Sequence, residues 1–304
     1  MSDIILHSYD ASPFTQKALR LLGLKRLAWR AVTTPMMLPK PELVALTGGY
    51  RGTPVMQFGA DLYIDSQLIA RELERRFPTP TLFPGGDPGL SYALVKWADA
   101  FFQTGLRLTI GMTAASWPAE FRQDRRDLFP DIDFDTVAQD QAHGMAQLRA
   151  HAGFLEMQLS DGRRFLTGDA PGLADIQAFS VPWFARPYMP VVNELWAAFP
   201  RMQAWEQRVA ELGEGTRTPI SAEEAFAAAR AARRETMVQV DPGDAQQLRA
   251  GMQVEVCPDD SLRGAVRGAV VIATVNEIAV QRQHELCGEV VVHFPRLGYR
   301  VTPV

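Results

Sequence analysis

The 304-residue chain is 47% hydrophobic and 22% charged, with a formal net charge of −4 and a sequence pI near 5.8. Such a chain can bury a substantial core in two domains with room for a smaller third, while its acidic balance and lack of a long Lys/Arg cluster argue against nucleic-acid binding or a polybasic membrane patch. No apolar run reaches the roughly 18 residues of a membrane span. The N-terminus MSDIILHSYD lacks a signal-peptide pattern, and the only cysteines, Cys257 and Cys287, lack CxxC spacing; a cytoplasmic protein without a disulfide framework is expected.

Ile4 to Tyr9 reads as a short apolar strand. Ser12 follows as an N-cap with Pro13 at the first helical position, and Phe14, Ala18, Leu21 and Leu22 share one helical face. Leu27 to Val32 supplies a second strand and PELVAL a short helix. Val55 to Phe58 and Leu62 to Ile64 form a hairpin across Gly59, Ala60 and Asp61. Ser66 opens a helix carrying Leu68, Ile69, Leu73 and Phe77. The order β-α-β-(α)-β-β-α over residues 1–80 is that of a thioredoxin-like α/β domain.

Residues 77–89, FPTPTLFPGGDPG, read as an interdomain linker. From 90 to 236 the pattern is helical, with Leu94, Trp97, Ala98, Phe101 and Phe102 on one stripe and Met145, Leu148, Phe154, Leu155 and Leu159 on another. Residues 113–134 interrupt it. Further helices are expected over 174–186, 199–212 and 222–236, the last opened by a Ser221 and Glu224 capping box. Beyond 237 the sequence turns strand-rich: Met252 to Val256 alternates, Val270 to Val275 and Ile278 to Val280 flank a turn at Asn276-Glu277, and GEVVVHF precedes a turn over 295–298. The expected fold is therefore an α/β thioredoxin-like domain (1–80), an all-α helical-bundle domain (90–236) and a small β-rich module (237–304).

Three segments carry chemistry. In SPFT, residues 12–15, a hydroxyl stands at a helix N-terminus, where orphan N–H groups and the macrodipole favour negative charge. Redox proteins of this fold place Cys-x-x-Cys there; Ser12 and Thr15 cannot perform thiol–disulfide exchange, but Ser12 can donate to the sulfur of a bound thiol and lower its pKa. The plain alternative is an N-cap followed by a favourable Pro. In YRGTPVMQF, Thr53-Pro54 is a candidate cis peptide that would turn the Thr53 backbone toward an extended ligand, or else a trans proline opening an edge strand. In YIDSQLIA, Asp65 and Ser66 at a strand-to-helix turn suit an α-amino acid head group, with the carboxylate received by helix N–H groups and the Ser66 hydroxyl and the ammonium by Asp65; a simple Ser cap is the alternative.

SPFTQKALRLL, GTPV and YIDSQLIARELE, in that order ahead of a proline-rich linker and a helical region, resemble a cytosolic glutathione transferase. The similarity runs over about residues 3–212 and includes PGLADIQAFS, where Gly172 takes an N-cap position usually held by Ser or Thr and Asp175 keeps the acidic N3 position. The resemblance implies Ser12 as the thiol-activating hydroxyl with Phe14 beside it, and Thr53 before Pro54 as the partner of the cysteinyl unit. It implies Asp65 and Ser66 as receptors of the γ-glutamyl group, and Lys40, otherwise read as a solvated loop lysine, for the glycine carboxylate. Gly52 stands where many relatives carry a basic residue, and Arg51 is the neighbour able to compensate.

Glutathione is then the co-substrate, with no metal: the five histidines lack metal-ligand spacing, and no nucleotide loop or nucleophile elbow occurs. The implied activity is attack of the activated thiol on a small electrophile, an alkyl or aryl transfer with isomerase or peroxidase chemistry as relatives of it, by a cytoplasmic homodimer joined across the first domain and the 90–112 helix. The competing expectation is a non-catalytic binding or scaffold protein that uses the C-terminal module for interactions.

Overall fold

The computed structural model describes residues 3–232, 235–259 and 264–304. The chain forms two compact units, one of residues 1–18, 27–72 and 216–304 and one of residues 19–26 and 73–215.

In the first unit, β1 (Ile4–Ser8) is buried along its whole length, as expected of a strand covered on both faces. It runs parallel to β2 (Ala28–Thr33) and antiparallel to β3 (Val55–Phe58), which turns into β4 (Asp61–Ile64). Helix α1 (Pro13–Leu24) follows β1, α2 (Pro41–Thr47) precedes β3, and α3 (Ser66–Arg76) follows β4. This is the thioredoxin-like order. Beyond β2 the sheet gains one edge strand, β5 (Thr216–Pro219), paired in parallel.

The C-terminal strands continue the same sheet. They are β6 (Gln239–Val240), β7 (Gln253–Pro258), β8 (Val266–Ala273), β9 (Glu277–His284), β10 (Gly288–Pro295) and β11 (Tyr299–Pro303). β10 pairs in parallel with β4 through Val291↔Asp61, Val292↔Leu62 and His293↔Tyr63, giving the order β11-β7-β8-β9-β10-β4-β3-β1-β2-β5, with β6 beside β8. The pairing closes what would otherwise be an open edge of β4. The apolar side chains agree with it: Leu43, Leu46, Tyr50, Val55, Leu62 and Ile64 share one buried cluster with Val254, Val270, Val280, Val292, Phe294 and Val301. Phe226 and Ala229 of α10 (Ala222–Ala231) join that cluster.

A polar knot sits at the β4–β10 pairing. Buried His293 bridges Asp61 (Nε2 to Oδ1, 3.1 Å) and Glu277 (Nδ1 to Oε1, 2.6 Å), stacks on Tyr63 at 4.4 Å, and lies 3.2 Å from the Thr236 hydroxyl, which also donates to Asp61. Burial alone would depress the imidazole, but the bonds and charges of the two carboxylates outweigh it and raise its pKa. Burial would likewise raise Asp61, yet His293, the Thr236 hydroxyl and the Glu235 N–H hold it below the usual carboxylate range.

The second unit is helical: α4 (Pro88–Thr113), α5 (Ala119–Leu128), α6 (Gln141–Gln158), α7 (Leu173–Tyr188), α8 (Val191–Trp196) and α9 (Pro200–Ala210). Helix α4 packs on α6 and α7. Gly172 caps α7 without a side chain, and Asp175 compensates by accepting from Gly172 N (2.9 Å), Leu166 N (2.8 Å) and Trp205 Nε1 (2.7 Å). It is a folding determinant.

Several local expectations shift. Asp61, expected in the turn after β3, is the first residue of β4 and pairs with Phe58. The 113–134 interruption contains α5. The helix expected over 222–236 ends at Ala231, its Ser221–Glu224 box formed as expected, and residues 233–234 lie outside the described residues. Glu277 is the first residue of β9 rather than part of the turn, because it pairs with Pro295 and holds His293.

Candidate functional site

Sheet register gathers the three motifs. His7 is opposite Val55, and Val55 is opposite Ile64, so the chain after β1, the chain before β3 and the chain after β4 leave the sheet at one end. Ser12, Thr53-Pro54 and Asp65-Ser66 occupy those three exits. Beneath them His7 bonds Gln57 (2.8 Å), whose amide donates to Gly59 O and Ala225 O, both at 2.9 Å. Burial pushes the His7 imidazole down to about 4, against the opposing effect of the Gln57 bond.

Ser12 is 1% exposed and caps α1, its Oγ accepting from Thr15 N at 3.2 Å. The cap uses a lone pair and not the hydroxyl proton, which has no acceptor among the described residues. Thr15 Oγ1 is buried with no partner among them. No acidic residue occupies the first turn of α1, so the positive end of its dipole is left uncompensated there. Phe14 is half-buried on the same turn, with Lys17 Nζ 4.8 Å from its ring centroid.

Lys40 is not a solvated loop lysine. It is 4% exposed, donates from Nζ to Arg51 O (3.2 Å) and lies 5.1 Å from the Tyr9 ring centroid, so it ties the loop after β1 to the loop before β3. Arg51 is buried beside it. The peptide before Pro54 is cis. Gly52 has a packing reason: a Cβ there would overlap the buried Tyr50 ring, which Phe294 of β10 meets edge-on at 6.5 Å. A larger side chain at this position would have to displace the Tyr50 ring.

At the β4–α3 turn the cap belongs to Asp65, whose Oδ1 accepts from Gln67 N at 2.9 Å, while Ser66 is the first helical residue. Asp65 has φ +75, a left-handed conformation that Asp tolerates better than most residues. Its Oδ2 accepts from the Tyr299 hydroxyl of β11 at 3.3 Å. Sequence reasoning missed Tyr299 and Tyr9. No motif marks either, and Tyr299 meets Asp65 from 234 positions away. Among the described residues, no group of three or more His, Cys, Asp or Glu side chains could hold a metal ion, and no helix is long and apolar enough to cross a membrane.

The glutathione S-transferase N-terminal-domain family model matches residues 6–81, and the corresponding C-terminal-domain model matches residues 135–208. No curated protein matches the chain. Among solved structures, a glutathione S-transferase (GST)-like protein from Pseudomonas syringae is 34% identical over the whole of both chains, with a TM-score of 0.78. That relative spans the C-terminal strands as well. The glutathione transferase GSTFuA3 from Phanerochaete chrysosporium (18% identity, TM-score 0.56) covers 70% of this chain and 98% of its own. Rice GST1, solved in complex with glutathione (20% identity, TM-score 0.52), covers 74% and 95%. Both share the fold. Two matching domain models, in the order and places that the thioredoxin-like sheet and the helical unit occupy, together with a full-length relative at 34% identity, establish that this chain belongs to the glutathione S-transferase family.

Proposed function

We propose that this chain binds glutathione at the end of its sheet where the chain leaves β1 and β4 and enters β3, and activates the thiol for attack on a small electrophile. The observation that carries the proposal is Ser12: a buried hydroxyl at the N-terminus of α1 whose oxygen is engaged by Thr15 N and whose proton is unspent. Donated to a sulfur, that proton favours the thiolate, as does the adjacent helix dipole. The thiol proton leaves to solvent and a carbon–sulfur bond forms; in a substitution the leaving group departs with its bonding electron pair, and in an addition the π pair shifts onto the acceptor and takes up a proton from solvent.

The remaining roles are those that the family resemblance implies. Thr53 before Pro54 presents backbone to the cysteinyl unit, Asp65 and Ser66 receive the γ-glutamyl head group at the start of α3, and Phe14 walls the thiol. Lys40 and Arg51 supply positive charge to the glycine carboxylate. Glutathione in the rice structure supports a peptide thiol as the ligand class. A homodimer across the first domain and the 90–112 helix is part of the proposal, and sedimentation as a dimer is expected.

The test is titration of glutathione by calorimetry together with turnover of a model aryl halide. Saturable binding is expected for wild type, and Ser12→Ala is expected to bind within a few-fold of it while losing on the order of a hundred-fold in turnover. No binding and no turnover by wild type would rule the proposal out.

A further inference from the structure

The turn proposed to receive the γ-glutamyl group is completed by a residue from the far end of the chain. Asp65 Oδ1 is engaged by Gln67 N at 2.9 Å, which orients the carboxylate about one oxygen only; the terminal torsion of an Asp is broad and roughly two-fold. The Tyr299 hydroxyl supplies the second point, donating to Oδ2 at 3.3 Å. Tyr299 is itself firmly placed. It is 8% exposed, its backbone is paired with Pro258 of β7, and its ring lies 5.4 Å from that of Phe294, which in turn meets Tyr50 in the loop before Thr53.

The strands that carry Tyr299 reach the other loop too. Arg282 of β9 donates to Ala45 O (2.7 Å) and Leu46 O (2.9 Å) at the end of α2, and Gly49 is so close to the carbonyl of Ala265 that a Cβ there would overlap it. The C-terminal segment therefore braces both the turn at Asp65 and the stretch of chain before Pro54.

We infer that Tyr299 is a positioning residue of the glutathione site: its hydroxyl fixes the Asp65 carboxylate in the orientation that receives the α-ammonium of the γ-glutamyl unit. The inference rests on the proposed glutathione site and assigns a part of it to the C-terminal strands. A carboxylate held at both oxygens loses less rotational freedom when the ammonium docks, and the surplus appears as affinity. Tyr299 touches no ligand atom in this role. Its loss raises Kd and KM for glutathione and leaves kcat nearly unchanged, because the γ-glutamyl end is remote from the sulfur.

The experiment is a double-mutant cycle read by glutathione calorimetry on the full chain: wild type, Tyr299→Phe, Asp65→Asn and the double variant. Tyr299→Phe keeps the ring in its packing, and a melting temperature within about 2 °C of wild type is expected, since the change removes one partly buried hydrogen bond. Its Kd for glutathione is expected to rise about five-fold, with no further rise when the substitution is added to Asp65→Asn. Tyr299→Trp, which keeps an aromatic ring but not the hydroxyl position, is the second variant and is expected to show the same loss of affinity. Unchanged affinity in Tyr299→Phe, or equal losses with and without the Asp65 carboxylate, overturns the inference while leaving the glutathione site standing. Absence of binding by wild type overturns both.

Discussion

At Ser12 one oxygen caps α1 and the attached proton is available to a ligand, so two roles share one side chain. They separate by substitution. Alanine removes both and costs about 0.5–2 kcal/mol of stability, whereas glycine is tolerated at an N-cap within a few tenths of a kcal/mol. Ser12→Gly is therefore expected to melt close to wild type and yet to lose turnover as fully as Ser12→Ala; a glycine variant with wild-type turnover would reduce Ser12 to a cap. The sequence made this residue legible because caps and helix starts are local signals, and SPFT contains the whole of one. Lys40 was not legible in the same way, since its burial depends on Tyr9 and Arg51, neither of which its own neighbourhood specifies. His7 makes a separate pH prediction. The unfolded imidazole takes up a proton below about 6.5 and the folded one only near 4, so stability falls as pH drops through that window. At roughly 1.4 kcal/mol per pH unit the loss is about 3 kcal/mol. Denaturant midpoints at pH 7 and pH 4.5 should diverge more in wild type than in His7→Gln.

Among the elements, β10 carries the most. Its parallel pairing with β4 brings His293 between Asp61 and Glu277, with the Thr236 hydroxyl against both His293 and Asp61. The His293 pKa is raised in the fold, so its contribution is fully present below the unfolded value near 6.5 and fades as pH rises through the folded value. His293→Gln is accordingly expected to lose more stability at pH 6 than at pH 9; equal losses at both would mean that the imidazole is held neutral. The neighbouring Phe294 is wholly buried, and Phe294→Ala is expected to cost about 3–5 kcal/mol in denaturant unfolding. The hairpin of β3 and β4 and the start of α3 were legible because short turns and caps announce themselves within a few residues. The β10–β4 pairing was not, because it joins segments about 230 residues apart and the apolar run in GEVVVHF says only that it is a strand. Asp61, expected in the turn, gave no hint: only its place in a strand buried along its whole length shows that its carboxylate needs a partner from elsewhere.

For the whole molecule, the consequence is that the C-terminal strands are a structural half of the first unit and share its apolar cluster. A chain ending at residue 236 would expose the β4 edge along with Leu62, Ile64, Leu43 and Leu46, and is expected to aggregate or to unfold without a cooperative transition. A soluble, cooperatively folding truncation that still binds glutathione would contradict that account. The family was legible from three short motifs in order, and the strand-rich character of the tail from its alternation. Its attachment was not legible, since it depends on which open edge the new strands meet. The most direct test of Ser12 as the thiol-activating group is an ultraviolet pH titration of the glutathione thiol bound to wild type and to Ser12→Ala. The bound thiol is predicted to ionise well below the ordinary value of about 8.5 in wild type and to move back toward it in the variant; the same value in both would contradict a Ser12 hydroxyl that stabilises the thiolate.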